Sequence, residues 1–184
     1  MAPFKAHDFS IRSLATIPEA IRPELWIAHH TEVAGEKARL IALAQKSGVK
    51  LQLMECMSTP ELRKLYNSVS ATLFPSFFEP FGLVPLESMA CETPVIGIAE
   101  GGIRETIING VTGVLTTRDE EDFGLAISTL LNNPQELKAM GTRCSEYIIK
   151  NWDWDILIEE FEKLMIRATQ RNSINRSKTP GIKL

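Results

Sequence analysis

The chain has 184 residues but only three cysteines, Cys56, Cys91 and Cys144, and no C-x-x-C spacing among them. An odd number without paired spacing argues against a disulfide scaffold or a zinc ribbon, and the expectation is reduced thiols in a cytoplasmic protein. No run approaches ~18 uncharged apolar residues, the length a bilayer-spanning helix needs. Met1 to Phe9 carries Lys5, His7 and Asp8 and no apolar centre, so it does not read as a secretory signal. Nor is one charge in surplus: 20 Lys and Arg stand against 23 Asp and Glu, a net charge of −3, which leaves no footprint for nucleic acid. Internal repeats and low-complexity tracts are missing as well. What remains, 44% apolar and 23% charged residues, is the composition of one globular domain, or of one and a short appendage.

Apolar patterning then predicts strands alternating with helices. Phe9 to Ile17 reads as a helix closed by Pro18 and Pro23, and Leu25 to Ala28 as a buried strand. Gly35 to Gln45 carries a helical stripe and Val49 to Met54 is the next strand. Ser58-Thr59-Pro60-Glu61 opens a helix with a cap, an early proline and an early acid. Strands follow at Ala71 to Phe74, Pro94 to Ile98 and Gly113 to Leu115, with a helix from Leu83 to Cys91. From Asp119 to about Arg171 only helices are expected. This alternation predicts an α/β fold, a Rossmann-like doubly wound parallel sheet with C-terminal helices. The domain is expected over residues 1–171, and 172–184 as a flexible tail. From Lys163 onward there are six basic residues and no acid, so weak contact with an anionic membrane surface is an expectation, with a solvated terminus the blander reading.

In such sheets ligands sit outside the carboxyl ends of strands, which directs attention to Phe74 to Ala90. Gly82 stands at a helix entrance, where backbone amides approach a ligand closely. Pro85 is tolerated in the first turn, where its missing N–H has no helical partner. The amides of Gly82 and Leu83 with the helix dipole make a natural phosphate site. Glu79 lies before the helix and Glu87 within it, leaning back toward the entrance. Amides for phosphates and one carboxylate for each sugar's hydroxyls match a sugar nucleotide. A strand, loop and helix with a glycine also occur in many α/β proteins, where an early Glu only complements the dipole.

The segment resembles the E-x7-E signature of the retaining, group 1 glycosyltransferases of the GT-B fold. Ser88-Met89-Ala90-Cys91-Glu92-Thr93-Pro94-Val95-Ile96 is similar to that family's EAMACGTPVI run, with Ser88 and Glu92 as departures. Gly101-Gly102-Ile103-Arg104-Glu105 and Asn109-Gly110-Val111-Thr112-Gly113 resemble its GG-x-x-E and DG-x-TG turns. The likeness covers roughly residues 5 to 165 and implies the donor-binding half of such an enzyme. Glu79 would then be the catalytic residue, contacting hydroxyls of the transferred sugar, Glu87 would hold the ribose diol, and the amides of Phe81, Gly82 and Leu83 the diphosphate. Lys5 resembles the family's diphosphate lysine, with Ala6 in place of the glycine that follows it. Met57 lies in the loop where the base is expected, and Gly101 and Gly102 in the sugar and phosphate loop.

The resemblance further implies transfer of a hexose from a UDP-, GDP- or ADP-sugar to a hydroxyl with retention, with no metal and no separate cofactor. Complete relatives have two Rossmann-like domains, so the expectation is a chain that lacks its first strand and partners an N-terminal domain or a separate subunit. The alternative is a non-catalytic sugar-nucleotide-binding module, or one subunit of a split enzyme; a sugar-nucleotide epimerase is a weaker third reading. His29 and His30 are expected to be loop residues. The Asp153-x-Asp155 pair is expected to cap a helix rather than bind a metal, and Cys91 to be a small core residue.

Overall fold

The computed structural model describes residues 3–31 and 33–177. Between 3-10 turns at Pro3–Lys5 and Glu19–Ile21 lies α1 (His7–Thr16). There follow β1 (Leu25–His29), α2 (Glu36–Lys46), β2 (Leu51–Glu55), α3 (Thr59–Ser68), β3 (Thr72–Phe74), α4 (Leu83–Ala90) and β4 (Val95–Ile98). The chain continues through α5 (Ile103–Thr106), β5 (Gly113–Thr116), α6 (Glu120–Leu131), α7 (Pro134–Asn151) and α8 (Trp154–Ser177). Every predicted strand and helix is present, within a few residues of its expected ends.

The helix starts follow from their caps. At α3 the backbone N–H and hydroxyl of Ser58 donate to Glu61 Oε2 at 2.8 and 2.6 Å, which satisfies donors the helix itself cannot. Asp119 Oδ1 accepts from the amides of Glu121 and Asp122 at the start of α6. Asp153 Oδ1 accepts from Asp155 N at 2.9 Å, so the D-x-D pair caps α8 as the sequence predicts.

All strand pairs are parallel, but the strands fall into two sheets. One joins β1 and β2, with Leu25 opposite Leu51 and His29 opposite Glu55. The other runs β3-β4-β5, with Thr72 opposite Val95 and Val95 opposite Gly113. The α/β reading with parallel strands holds, while the single continuous sheet of the expectation is interrupted between β1 and β3. β4 is buried at all four positions, as a strand covered on both faces must be. α6 packs on β4 and β5, α4 on β3 and β4, and α1 on α6. There Phe9 meets Phe123 edge-on at 5.4 Å.

Contacts group the residues up to 146 into one compact unit and those from 147 into a second. α8 runs on to Ser177, past the boundary expected at 172, and the rest of the expected basic tail, from 178, lies outside the described residues. No helix of the described residues is long and apolar enough to cross a membrane.

Candidate functional site

The predicted site residues follow β2 (Met57), β3 (Glu79, Phe81, Gly82, Leu83 and Glu87) and β4 (Gly101 and Gly102), with Lys5 ahead of α1. After Phe74 the chain loops through Glu79 to Gly82, which holds φ 91° and ψ 60°, a left-handed conformation that glycine adopts without strain. No side chain caps α4 at this point. Its first-turn amides, at the positive end of the helix dipole, therefore have no side-chain acceptor from the cap position. Pro85 is buried in that first turn, while Leu83 is exposed.

Lys5 and Glu79, 74 positions apart, form an ion pair with Nζ to Oε2 at 2.7 Å. An ammonium carries three donors, so this pairing leaves others for an anion beside α4. Glu87 Oε2 accepts from the Tyr66 hydroxyl at 3.2 Å. Burial first, and then the Glu87 charge, push the Tyr66 hydroxyl above its ordinary range, which keeps it a donor. Lys5, Met57 and Glu87 line one cavity of about 770 Å³. Glu79 joins them through Lys5.

Gly101 and Gly102 serve the loop. A Cβ on Gly101 would stand 2.5 Å from the Glu79 carbonyl oxygen, and one on Gly102 would stand 2.3 Å from that of Pro80. The Gly102 amide already donates to Glu79 O at 2.9 Å. This pair thus holds the Glu79–Pro80 backbone in place, and the Gly102 N–H is committed there rather than open to a phosphate.

Arg118, just past β5, was not singled out by sequence reasoning. Its guanidinium donates to both Glu100 carboxylate oxygens at 2.9 and 2.7 Å, to Pro75 O at 2.9 Å and to Ser76 O at 3.2 Å. It also stacks 3.8 Å from the centre of the Phe77 ring. One side chain therefore ties the first half of the Glu79 loop to β5. A lone Arg after a strand carries no signal in sequence.

One of the two histidine expectations needs correction. His29 is the last residue of β1, not a loop residue, and its ring is buried with neither nitrogen hydrogen-bonded among the described residues. His30 follows in a bend and is exposed. Burial pushes His7, on the same cavity, down to about 4, so it is neutral at pH 7. Cys91 is half-buried at the C-terminal end of α4, not inside the core. Cys144 is the buried cysteine, its thiol pushed up to about 12 by that burial. Among the described residues no group of three or more His, Cys, Asp or Glu side chains is placed to hold a metal ion.

The class these features define is a Rossmann-like α/β domain whose α4 starts without a side-chain cap, with Glu79 before it and Glu87 within it. The sequence profile of the family described as "Glycosyl transferases group 1" matches residues 1–150, and the chain belongs to that family. It is 30% identical over 168 residues to D-inositol 3-phosphate glycosyltransferase of Kribbella flavida, covering 84% of this chain and 38% of that one. Its identity to the enzyme of the same name from Thermobispora bispora is 31% over 180 residues, covering 92% and 42%. Among solved structures it is similar to sucrose-phosphate synthase from Thermosynechococcus elongatus, with TM-score 0.81, 25% identity, and 92% of this chain and 44% of that one covered. It also shares its fold with Anabaena HepE in complex with UDP and glucose, at TM-score 0.80, 18% identity, and 91% and 46% coverage. The chain thus spans about 40% of the length of the curated relatives it matches.

Proposed function

We propose that this chain is the donor-binding half of a retaining, metal-independent glycosyltransferase that uses a nucleoside diphosphate sugar. The observation that carries the reading is the uncapped start of α4 at Gly82, with the Lys5–Glu79 pair and Glu87 around it. The diphosphate would take the first-turn amides of α4 and the remaining donors of Lys5, which together supply the positive charge that the departing diphosphate requires. Glu87, already oriented by Tyr66, would accept from the ribose diol, with Met57 beside the base. Glu79 would hold hydroxyls of the transferred hexose and fix its orientation toward the acceptor. That the related Anabaena protein is described with UDP and glucose supports this donor class.

The test is calorimetric titration of the chain with UDP, GDP and ADP and their glucose conjugates. One nucleotide should bind selectively, and Glu87→Ala should weaken it by about 1.5–3 kcal/mol, the range for hydrogen bonds to a charged group. Unchanged affinity in that variant would remove Glu87 from the site. Because the chain spans 38% and 42% of its two relatives, a second reading is a binding subunit that turns over donor only with another domain. Turnover that appears only on adding such a domain favours it.

A further inference from the structure

We infer that His29 is a phosphate-binding residue, whose imidazole donates an N–H to a diphosphate oxygen of a ligand in the cavity beside Lys5. The inference rests on the donor-site reading for the class of ligand and adds to that site a side chain from β1. All three histidines of the chain, His7, His29 and His30, line this cavity together with Lys5. They come from two places, the first turn of α1 and the carboxyl end of β1 with the bend that follows it. His29 stands apart in its surroundings. Only 7% of its side chain is exposed, and among the described residues neither ring nitrogen has a hydrogen-bond partner. A histidine ring, neutral or charged, carries at least one N–H donor. Leaving that donor buried and unpaired is costly, and an apolar side chain would be more stable in its place.

The acids around the histidines are already occupied. Glu55, opposite His29 in the β1–β2 register, brings Oε1 to 3.9 Å from Nε2, beyond hydrogen-bonding distance, and bonds to Lys37 instead. Glu79 bonds to Lys5, Asp8 to Arg12 at 3.0 Å, and Glu36 to Arg39 through both oxygens at 2.8 Å. Each of these carboxylates thus has a lysine or arginine partner, and the acceptor that His29 lacks comes from a ligand. Phosphate oxygens fit, being strong acceptors. The hydroxyls of a nucleoside can donate, and they suit Glu87, whose carboxylate only accepts. Burial keeps His7 uncharged at pH 7, so Lys5 is the fixed positive charge of the group, and its ammonium has donors beyond the bond to Glu79. The backbone of His29 is held where its carbonyl accepts from Cys56 N at 2.9 Å. Rotation of the ring about Cβ–Cγ is a broad, soft torsion, which turns a nitrogen toward a ligand without moving the strand. A donor carried on a strand end is also positioned more precisely than one on a loop.

The test is titration of the chain with inorganic pyrophosphate, in the wild type, His29→Leu and His29→Gln. His29→Leu should raise the thermal midpoint, because an apolar side chain replaces an unpaired polar one. The same variant should bind pyrophosphate about tenfold more weakly or worse, the loss of one hydrogen bond to a charged group. His29→Gln, which keeps an N–H donor, should recover most of that affinity. In the wild type, pyrophosphate should move the ring nitrogen resonances of His29, identified as those missing from the His29→Leu spectrum. Equal affinity in wild type and His29→Leu overturns the inference, as does a wild type that fails to bind pyrophosphate at millimolar concentration. A lower midpoint in His29→Leu overturns it too, since the ring would then have partners within the fold. Nucleotide titration with Glu87→Ala is read separately. Selective nucleotide binding that depends on Glu87 and is unchanged in His29→Leu keeps the donor site and removes His29 from it. Pyrophosphate binding that needs His29, with no preference for any nucleotide, keeps His29 and removes the nucleoside part of the donor-site reading.

Discussion

β4 and β1 are both short apolar strands in parallel sheets, yet they end in different environments. β4 has a neighbour on each side, and Val95, Ile96 and Ile98 are at most 2% exposed. β1 has one neighbour, and Trp26 and Ala28 on its second face stay exposed while Leu25 and Ile27 are buried. Strand formation is set locally by apolar, β-branched runs, whereas burial is set by what the rest of the fold lays alongside. The largest expected effect that tests this contrast is Ile96→Ala, which should cost about 2–5 kcal/mol as a core truncation. Leu53→Ala in half-buried β2 should cost about 1–2 kcal/mol, since only part of the side chain leaves water on folding. Equal losses in urea unfolding would break the comparison.

The closed sheet also anchors the candidate site. Arg118→Met removes the tie between β5 and the Glu79 loop and leaves Glu100 and two carbonyls without their donor. The expected loss is about 1.5–3 kcal/mol at pH 7. Hydrogen bonding to Arg118 holds the Glu100 carboxyl below its usual range. Its contribution is therefore fully present above the unfolded carboxyl pKa of about 4.3 and is lost as pH falls through the lower folded value. The gap between wild type and Arg118→Met, measured by denaturation, should shrink from pH 7 to pH 3 but not close, because the carbonyl bonds need no carboxylate. A gap independent of pH would detach Glu100 from the anchor.

How much of this was legible beforehand divides along the same line. Caps at Ser58, Asp119 and Asp153 and every strand could be read locally, because each depends on neighbours within a few residues. The Phe74 to Ala90 segment also identified the helix entrance at Gly82. The Lys5–Glu79 pair, the Arg118 anchor and the break between β1 and β3 join residues far apart in sequence, and no local pattern encodes them. Two departures from the family pattern turned out to be informative. Ala6 and Glu92 stand where the resemblance has glycine, and both adopt left-handed backbone, at φ 51° and 59°. Ser88, the third departure, is fully buried but satisfied, its hydroxyl donating to Thr93 O at 2.8 Å and hydrogen-bonded with the Thr72 hydroxyl at 2.7 Å. Exposed Glu92 is therefore strained for want of glycine. Glu92→Gly should raise stability by about 1 kcal/mol, seen as a higher denaturation midpoint with unchanged m-value. A loss would mean that its 3.3 Å hydrogen bond from Ser145 outweighs the backbone strain.

The smallest expected effect addresses the open sheet itself. Ala28 lies in the middle of β1 and is exposed, which is unusual in a parallel sheet, where both faces are normally covered. Ala28→Val adds volume to a strand position with nothing packed upon it and raises strand propensity slightly, so stability should stay within about 0.5 kcal/mol. At a filled position the same two methyl groups would overpack the face and cost about 1–3 kcal/mol. A cost of that size in urea unfolding would mean that this face of β1 is already covered, and the contrast with β4 would then reduce to strand length.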